Sequence, residues 1–141
     1  MNKEITNEFR FHHIGIIVRD LNAAIDRYNS FLGSNNHEYY QEFVRSQKVK
    51  VCLVPLTEGT YIEFIEPIGT NSPVYNFSRN GGGLHHLCYE VEDVEEEIQR
   101  LKGSMKLIVK PVTGLQNRIM AFLFSKSEEI GFSLIELIEK K

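Results

Sequence analysis

The chain has 141 residues, of which 42% are hydrophobic, 11% aromatic and 25% charged, and this is the composition of an ordinary globular protein. Its formal net charge of -3 provides no basic surface for nucleic acid, and its apolar runs are shorter than the roughly 18 residues that a membrane span needs. Cys52 and Cys88 lie in apolar runs without the spacing of a zinc site, which predicts buried free thiols. These features predict a soluble cytoplasmic protein that binds neither nucleic acid nor a membrane.

The first half of the chain predicts a strand, a helix and three more strands. After a polar tail at 1–10, the alternating run from Phe11 is typical of a strand, and Asp20 is placed as the N-cap of a helix that ends at Gly33. The predicted core face of that helix consists of Leu21, Ile25, Tyr28 and Leu32. The strands that follow are predicted at 37–44, 47–55 and 60–66.

The middle of the chain predicts a connection, after which the second half repeats the order of the first. Ser72 is placed as the N-cap of a short crossover helix, Pro73–Arg79, and the glycines at 81–83 predict a turn. Asp93 is the predicted N-cap of another helix, which ends at Gly103. The core face of this helix is predicted to consist of Val94, Ile98 and Leu101. The strands that follow are predicted at 105–110, 117–125 and 132–138.

Two segments of the first half recur 73 residues later. The ten residues from Phe11 match the ten residues from Leu84, with a His-His pair in each, and Tyr61–Glu66 matches Leu134–Glu139. Such repetition predicts two copies of one structural unit, and therefore an α+β fold in which two tandem βαβββ modules form a curved mixed sheet. The predicted parts are the N-terminal tail at 1–10, the first module at 11–67, the crossover helix and glycine turn at 68–83, and the second module at 84–141.

Four side chains of this repeat are predicted to bind a metal ion around which the sheet curves. Because side chains alternate along a strand, His13 and His86 lie on the face opposite to the apolar positions that pack on the helices, and so do Glu63 and Glu136. Each histidine precedes its glutamate by 50 residues, so a pseudo-twofold axis would bring the two pairs together. Two imidazoles and two carboxylates suit one divalent ion such as Zn²⁺, Co²⁺, Ni²⁺, Mn²⁺ or Fe²⁺.

Three motifs of the chain are characteristic of a known family: His13–Ile16, Ile62–Pro67 followed by Ser72-Pro73, and Gly82–Leu87. With these motifs and its two predicted modules, the chain from Phe11 to Glu139 resembles the vicinal-oxygen-chelate (glyoxalase/bleomycin resistance/dioxygenase) superfamily, whose hallmark is a pair of βαβββ modules. Within it the chain is most similar to methylmalonyl-CoA epimerases. The resemblance implies a glyoxalase-like fold and metal ligands at the four positions that the repeat selects.

Three segments depart from the epimerase pattern. The glutamate that such enzymes usually carry before a glycine-valine pair is absent from Arg45–Val49. The usual glycine-rich loop is replaced by Pro111–Arg118, and the usual His-Pro by Phe124–Ser125. Glu42 and Glu90 are therefore the candidates for a proton donor on the opposite face of the substrate.

The resemblance implies an enzyme, namely a metal-dependent isomerase or epimerase that removes a proton α to a carbonyl. Its substrate would be a small acyl thioester such as an acyl-CoA, and Glu136 or Glu63 would be the catalytic base. Proteins of this family commonly form dimers, which predicts a homodimer. Two alternatives stay open: a lyase similar to lactoylglutathione lyase (glyoxalase), and a metal-free drug-binding resistance protein of the same fold. The full ligand set favours the enzymes over the binding protein.

Overall fold

The computed structural model describes residues 9–36, 38–125 and 134–141. It divides the chain into two compact units. The N-terminal unit comprises residues 13–85, and the C-terminal unit comprises residues 86–141 together with those up to His12. Parts of the predicted elements lie outside the described residues, namely 1–8 of the tail, His37 and 132–133. Within the described part of the chain, no helix has both the length and the apolar character needed to cross a membrane.

Each half of the chain has the predicted order of one strand, one helix and three strands. The first half consists of β1 (Arg10–Ile17), α1 (Leu21–Leu32), β2 (Tyr40–Val44), β3 (Val49–Thr57) and β4 (Thr60–Pro67). A short helix, α2 (Tyr75–Arg79), follows. The second half consists of β5 (Gly83–Val91), α3 (Val94–Leu101), β6 (Met105–Thr113), β7 (Ile119–Ser125) and β8 (Leu134–Glu139).

The strands pair in the same order in both halves, and the sheets are mixed. In the first half the order is β2-β3-β4-β1, with β4 parallel to β1 and the other pairs antiparallel. In the second half the order is β6-β7-β8-β5, with β8 parallel to β5 and the other pairs antiparallel. The last strand of each half therefore lies beside the first strand, as the βαβββ prediction requires.

One face of each sheet packs on a helix. In the N-terminal unit this core contains the buried residues Leu21, Ile25, Cys52, Val54, Ile62 and Phe64. In the C-terminal unit it contains Val91, Val94, Ile98, Ala121, Leu123, Ile135 and Leu137. Ile62 and Phe64 flank Glu63 along β4, so the alternation of side chains places Glu63 on the other face of the sheet. The same holds for Glu136 between Ile135 and Leu137, and both face predictions are confirmed.

Carboxylates satisfy the first backbone N–H groups of both long helices. Asp20 Oδ1 accepts from the N–H of Ala23 at 3.0 Å, and Asp93 Oδ1 accepts from that of Glu96 at 3.0 Å, so both predicted N-caps are confirmed. A second pair of carboxylates, not predicted from the sequence, also lies at these helices. Glu66 Oε1 accepts from the N–H of Leu21 at 2.8 Å, and Glu139 Oε2 accepts from that of Val94 at 3.1 Å. The second glutamate of each repeated segment thus ties the end of a strand to the start of a helix.

Two predictions for the ends of the long helices were wrong. Leu32 is 50% exposed, and Asn29 is buried in its place. Burial of this amide is tolerated because its Nδ2 donates to the carbonyl of Asn36 at 2.7 Å and its Oδ1 accepts from the hydroxyl of Tyr39 at 2.6 Å. Gly33 ends α1 in the left-handed conformation as predicted. The second wrong prediction is that Gly103 ends the other helix, because the last residue of α3 is Leu101 and its C-cap is Lys102 in the right-handed conformation.

The crossover helix is shorter than predicted. It begins at Tyr75, and Ser72 is not its N-cap. The Ser72 hydroxyl instead donates to the carbonyl of Gln47 at 3.1 Å, which ties the connection to the turn before β3. Gly82 has a φ of +62°, and a Cβ at this position would lie 2.5 Å from the carbonyl oxygen of Ile17. The glycine turn therefore permits a close approach of two backbone segments within the N-terminal unit.

Candidate active site

One histidine and one glutamate meet in the N-terminal unit, on the face of the strands opposite to α1. The parallel pairing of β1 and β4 sets Gly15 opposite Glu63, and His13 lies two residues before Gly15 on the same face. The Nε2 atom of His13 is 3.3 Å from Oε1 of Glu63. The histidine is fully buried and the glutamate is 5% exposed. The two groups are therefore in contact on adjacent parallel strands of one unit.

The C-terminal unit contains the equivalent pair. The parallel pairing of β5 and β8 sets Cys88 opposite Glu136, and Nε2 of His86 is 3.1 Å from Oε1 of Glu136. Both residues are buried. The imidazole also packs edge-on against the ring of Phe122, with the ring centres 5.0 Å apart. Packing of this kind fixes the plane of the imidazole and the direction of its donor nitrogen.

The chemistry of each pair fits two ligands of a metal ion. His13, Glu63, His86 and Glu136 each offer one donor atom, an imidazole nitrogen or a carboxylate oxygen. Two such donors about 2.1 Å from one ion, at angles between octahedral and tetrahedral, are about 3.0–3.4 Å apart. The observed separations of 3.3 and 3.1 Å fall in that range. Two imidazoles and two carboxylates, all buried, are a donor set that suits a divalent ion.

The two cysteines are free and buried, as predicted. Burial raises the pKa of the Cys52 thiol to about 11. Cys52 belongs to the core that packs on α1, so it lies on the face opposite to Glu63. A buried thiol of this kind is protonated at neutral pH and is a poor nucleophile.

Glu90, one of the two candidate proton donors, is held by a buried arginine. Arg118 is 6% exposed, and its Nη2 donates to Oε2 of Glu90 at 2.5 Å. Its Nε also donates to the carbonyl of Glu139 at 2.6 Å, and its Nη1 donates to Oε1 of Gln116 at 3.3 Å. The sequence analysis did not single out Arg118, although a charged residue next to the apolar run of β7 is a signal for a buried ion pair.

Glu42, the other candidate, lies on β2 and is partly buried. The hydroxyl of Tyr40 donates to its Oε1 at 2.5 Å. This hydrogen bond, with smaller contributions from burial and from the charge of Glu42, raises the pKa of Tyr40 to about 12. Tyr40 is therefore a neutral donor at physiological pH.

A family model matches the chain over residues 12–124, and it describes the glyoxalase/bleomycin resistance protein/dioxygenase superfamily. The chain belongs to this superfamily. The matched range includes His13, Glu63 and His86, and the resemblance inferred from the sequence motifs is confirmed. The ethylmalonyl-CoA/methylmalonyl-CoA epimerase of Cereibacter sphaeroides is 33% identical over 133 residues, which cover 91% of this chain and 96% of the relative.

Two solved structures of the superfamily are similar over nearly the whole chain. Methylmalonyl-CoA epimerase from Mycobacterium tuberculosis matches with a TM-score of 0.80 and 25% identity, over 99% of this chain and 93% of its own. A methylmalonyl-CoA epimerase in complex with methylmalonyl-CoA and NH4+ matches with a TM-score of 0.75 and 25% identity, over 94% of each chain. These similarities confirm the glyoxalase-like α+β fold class.

Proposed function

We propose that this protein is an acyl-CoA epimerase of the methylmalonyl-CoA type, which inverts the configuration of the carbon next to the thioester carbonyl. The observation that carries the proposal is the pair of buried His–Glu contacts, 3.3 and 3.1 Å long, at equivalent positions of the two halves. The epimerase relatives support the choice of reaction, because one of them matches 91% of this chain at 33% identity. A solved relative in complex with methylmalonyl-CoA supports the choice of an acyl-CoA substrate.

The two pairs would together hold one divalent metal ion. His13 and His86 would each supply an imidazole nitrogen, and Glu63 and Glu136 would each supply a carboxylate oxygen. This mixed donor set suits Zn²⁺, Co²⁺, Ni²⁺, Mn²⁺ or Fe²⁺. When bound, such an ion supplies Lewis-acid stabilisation of negative charge on a substrate carbonyl oxygen.

The residues of this chain would then carry the proton. A carboxylate, Glu63 or Glu136, removes the proton from the α-carbon, and the C–H electron pair enters the adjacent carbonyl to give an enolate. Both carboxylates are buried, and each is 5% exposed. A second acid then returns a proton to the opposite face of the carbon. The reaction therefore requires two proton-transfer groups and no redox partner.

Two measurements on untagged protein test the proposal. The first is metal content by elemental analysis of the wild type, of His86→Ala/Glu136→Ala and of the control His85→Ala. We expect about one equivalent of a transition metal in the wild type and in the control, and its loss in the double variant. His85 is a suitable control because its side chain lies on the other face of β5 and packs edge-on against Phe77, with the ring centres 5.1 Å apart.

The second measurement is the interconversion of the two epimers of methylmalonyl-CoA, followed together with uptake of α-deuterium from D₂O. The wild type is expected to catalyse both, and the double variant neither. Wild-type protein that binds no metal, even after reconstitution, and that exchanges no α-proton would refute the epimerase and favour a metal-free binding protein. Metal binding without α-exchange would favour a different reaction of the same superfamily.

A further inference from the structure

Inversion at a carbon atom requires one proton-transfer group on each side of it. A ligand carboxylate accounts for one side in the proposed function, and the other side needs a second group. Besides Glu63 and Glu136, the described strands carry four glutamates: Glu42, Glu66, Glu90 and Glu139. The positions and partners of these four carboxylates distinguish between them.

Three of the four are engaged in holding the fold. Glu66 and Glu139 accept hydrogen bonds from the first backbone N–H groups of α1 and α3, at 2.8 and 3.1 Å. Both carboxylates therefore lie where a strand ends next to the start of a helix. Glu90 shares the face of His86, but its carboxylate accepts a hydrogen bond from the buried guanidinium of Arg118. A proton on Glu90 would leave that buried cation without its counter-ion, which makes proton exchange there costly.

Glu42 is on the same sheet face as Glu63. Strand pairing sets Glu42 opposite Val51, and Val51 opposite Ile65, so these three side chains share one face. Ile65 also shares a face with Glu63, because one residue separates them along β4. In the next row, Tyr40 is opposite Leu53 and Leu53 is opposite Glu63. Two strand spacings, about 10 Å, separate the backbones of β2 and β4. That distance leaves room for a small acyl group between the two carboxylates.

The surroundings of Glu42 suit a group that gains and loses a proton. Its side chain is partly buried, so it is reachable from solvent and partly shielded from it. The Tyr40 hydroxyl donates to its Oε1 at 2.5 Å, and this donor fixes the direction of the carboxylate. Because the pKa of Tyr40 is raised to about 12, the phenol keeps its proton and remains a donor throughout the neutral range.

We propose that Glu42, oriented by Tyr40, is the second acid–base group of the epimerisation. This inference rests on the proposed function, in which Glu63 or Glu136 acts from the other side of the α-carbon. In one direction an oxygen of Glu42 takes the α-proton, and the C–H electron pair enters the carbonyl to give an enolate. Glu63 or Glu136, in its protonated form, then donates a proton to the opposite face of the α-carbon. In the other direction the two carboxylates exchange these roles. Each then exchanges its proton with solvent.

The experiment starts from each separate epimer of methylmalonyl-CoA in D₂O and measures both inversion and α-deuterium uptake. The variants are Glu42→Gln and the control Glu38→Gln, which changes an exposed glutamate just before β2. We expect Glu42→Gln to lower inversion by about 100-fold or more, the usual effect of losing one acid–base group. One epimer should still take up deuterium without inversion, because the base on its side is intact. Glu38→Gln should behave as the wild type.

A second variant tests the role of Tyr40 as a positioning residue. Tyr40→Phe keeps the carboxylate of Glu42 and removes only its hydrogen-bond donor. The expected result is a fall in kcat for inversion of about tenfold, the effect of one charge-assisted hydrogen bond, with KM unchanged. Because this substitution removes a single oxygen from a side chain that is 44% exposed, it also tests the inference if Glu42→Gln folds poorly.

Three outcomes would overturn the inference. Inversion by Glu42→Gln at the wild-type rate would show that another group carries the proton. If neither epimer took up deuterium with Glu42→Gln, the substitution would have damaged the site in general. It would not have removed a base from one face of the α-carbon only. A wild type that neither inverts nor exchanges would overturn the proposed function, and this inference with it, whereas the first two outcomes leave the proposed function standing.

Discussion

The two halves of the chain share their ligand pairs and differ in what surrounds them. Each unit has a buried histidine and glutamate, on adjacent parallel strands, with Nε2 and Oε1 separated by 3.3 Å in one unit and 3.1 Å in the other. Each helix also begins with an N-cap aspartate and a second carboxylate from the end of a strand. The repeat thus extends from the proposed metal ligands to the helix ends.

The differences concern the remaining acids on the sheet faces. In the N-terminal unit, Glu42 accepts a hydrogen bond from a neutral tyrosine near the edge of the sheet. In the C-terminal unit, Glu90 is paired with the buried Arg118. The hydrogen-bond donor to Glu42 is thus a neutral phenol, whereas the donor to Glu90 is a buried guanidinium. In the proposed function, the repeated residues bind the metal, and the residues unique to each half supply a second base in one half and rigidity in the other.

The largest expected effect comes from removing one ligand from either half. His13→Ala and His86→Ala should each lower kcat/KM for epimerisation by about 100-fold or more, because a Lewis acid contributes several kcal/mol to such reactions. If the two pairs bind one ion, the double variant His13→Ala/His86→Ala should have a kcat/KM only slightly lower than that of either single variant. The reason is that the effects of residues that act as a unit are not additive. The test is to measure the metal content and the steady-state rates of these variants and to compare them with those of His85→Ala.

A double variant whose loss equals the product of the two single losses would contradict a shared ion. In that case the two halves would have separate functions despite their matching geometry.

The next effect concerns the stability of the C-terminal unit. Arg118→Ala removes a side chain that donates to Glu90 and to the carbonyl of Glu139, and leaves both acceptors without this partner. Loss of one member of a buried ion pair destabilises a protein by about 3 kcal/mol or more. Lys140→Ala is the control, because it breaks an ion pair with Glu92, whose side chain is 73% exposed. Exposed pairs are worth about 0–1 kcal/mol.

Urea denaturation of the two variants compares these free energies of unfolding. A similar small loss in both would show that Arg118 does not stabilise the unit and that Glu90 is not restrained by it. Glu90 would then have to be reconsidered as a proton donor alongside Glu42.

Local patterns were enough to predict the ligand faces and the helix starts. The period of two along β4 and β8 placed Glu63 and Glu136 opposite to their apolar neighbours, and the N-cap aspartates act within three residues of their own positions. Interactions between distant segments could not be predicted in this way. Glu66 binds an N–H group 45 residues away, and Arg118 binds Glu90 across 28 residues. Such pairs depend on the strand register, which no local pattern specifies.

The same limit explains the two candidate proton donors. From the sequence, Glu90 shares the strand face of His86, whereas the face of Glu42 depends on a register that the sequence does not specify. Their difference arises from Tyr40 and Arg118. Tyr40 is two residues from Glu42, but its hydroxyl reaches the carboxylate only because both side chains lie on one face of β2.

The smallest expected effect is a change in the pKa of the Tyr40 hydroxyl. The fold raises the pKa of Tyr40 to about 12, first because its hydroxyl donates to Glu42, and then because of burial and the charge of Glu42. The neutral phenol is thus favoured in the folded protein, so this contribution to stability is present below pH 10 and is lost as the pH rises from about 10 to about 12. At pH 11 an ordinary tyrosine is about 90% ionised, whereas Tyr40 should remain mostly neutral.

NMR of protein labelled with ¹³C at the tyrosine Cζ atoms separates Tyr40 from the other five tyrosines, with Tyr40→Phe to assign its signal. In Glu42→Gln the pKa of Tyr40 should fall towards 10, because the charged acceptor is gone. An unchanged titration in that variant would mean that the hydrogen bond does not form in solution. The asymmetry between the two halves would then rest on Arg118 alone, and Glu42 would lose the donor that orients its carboxylate.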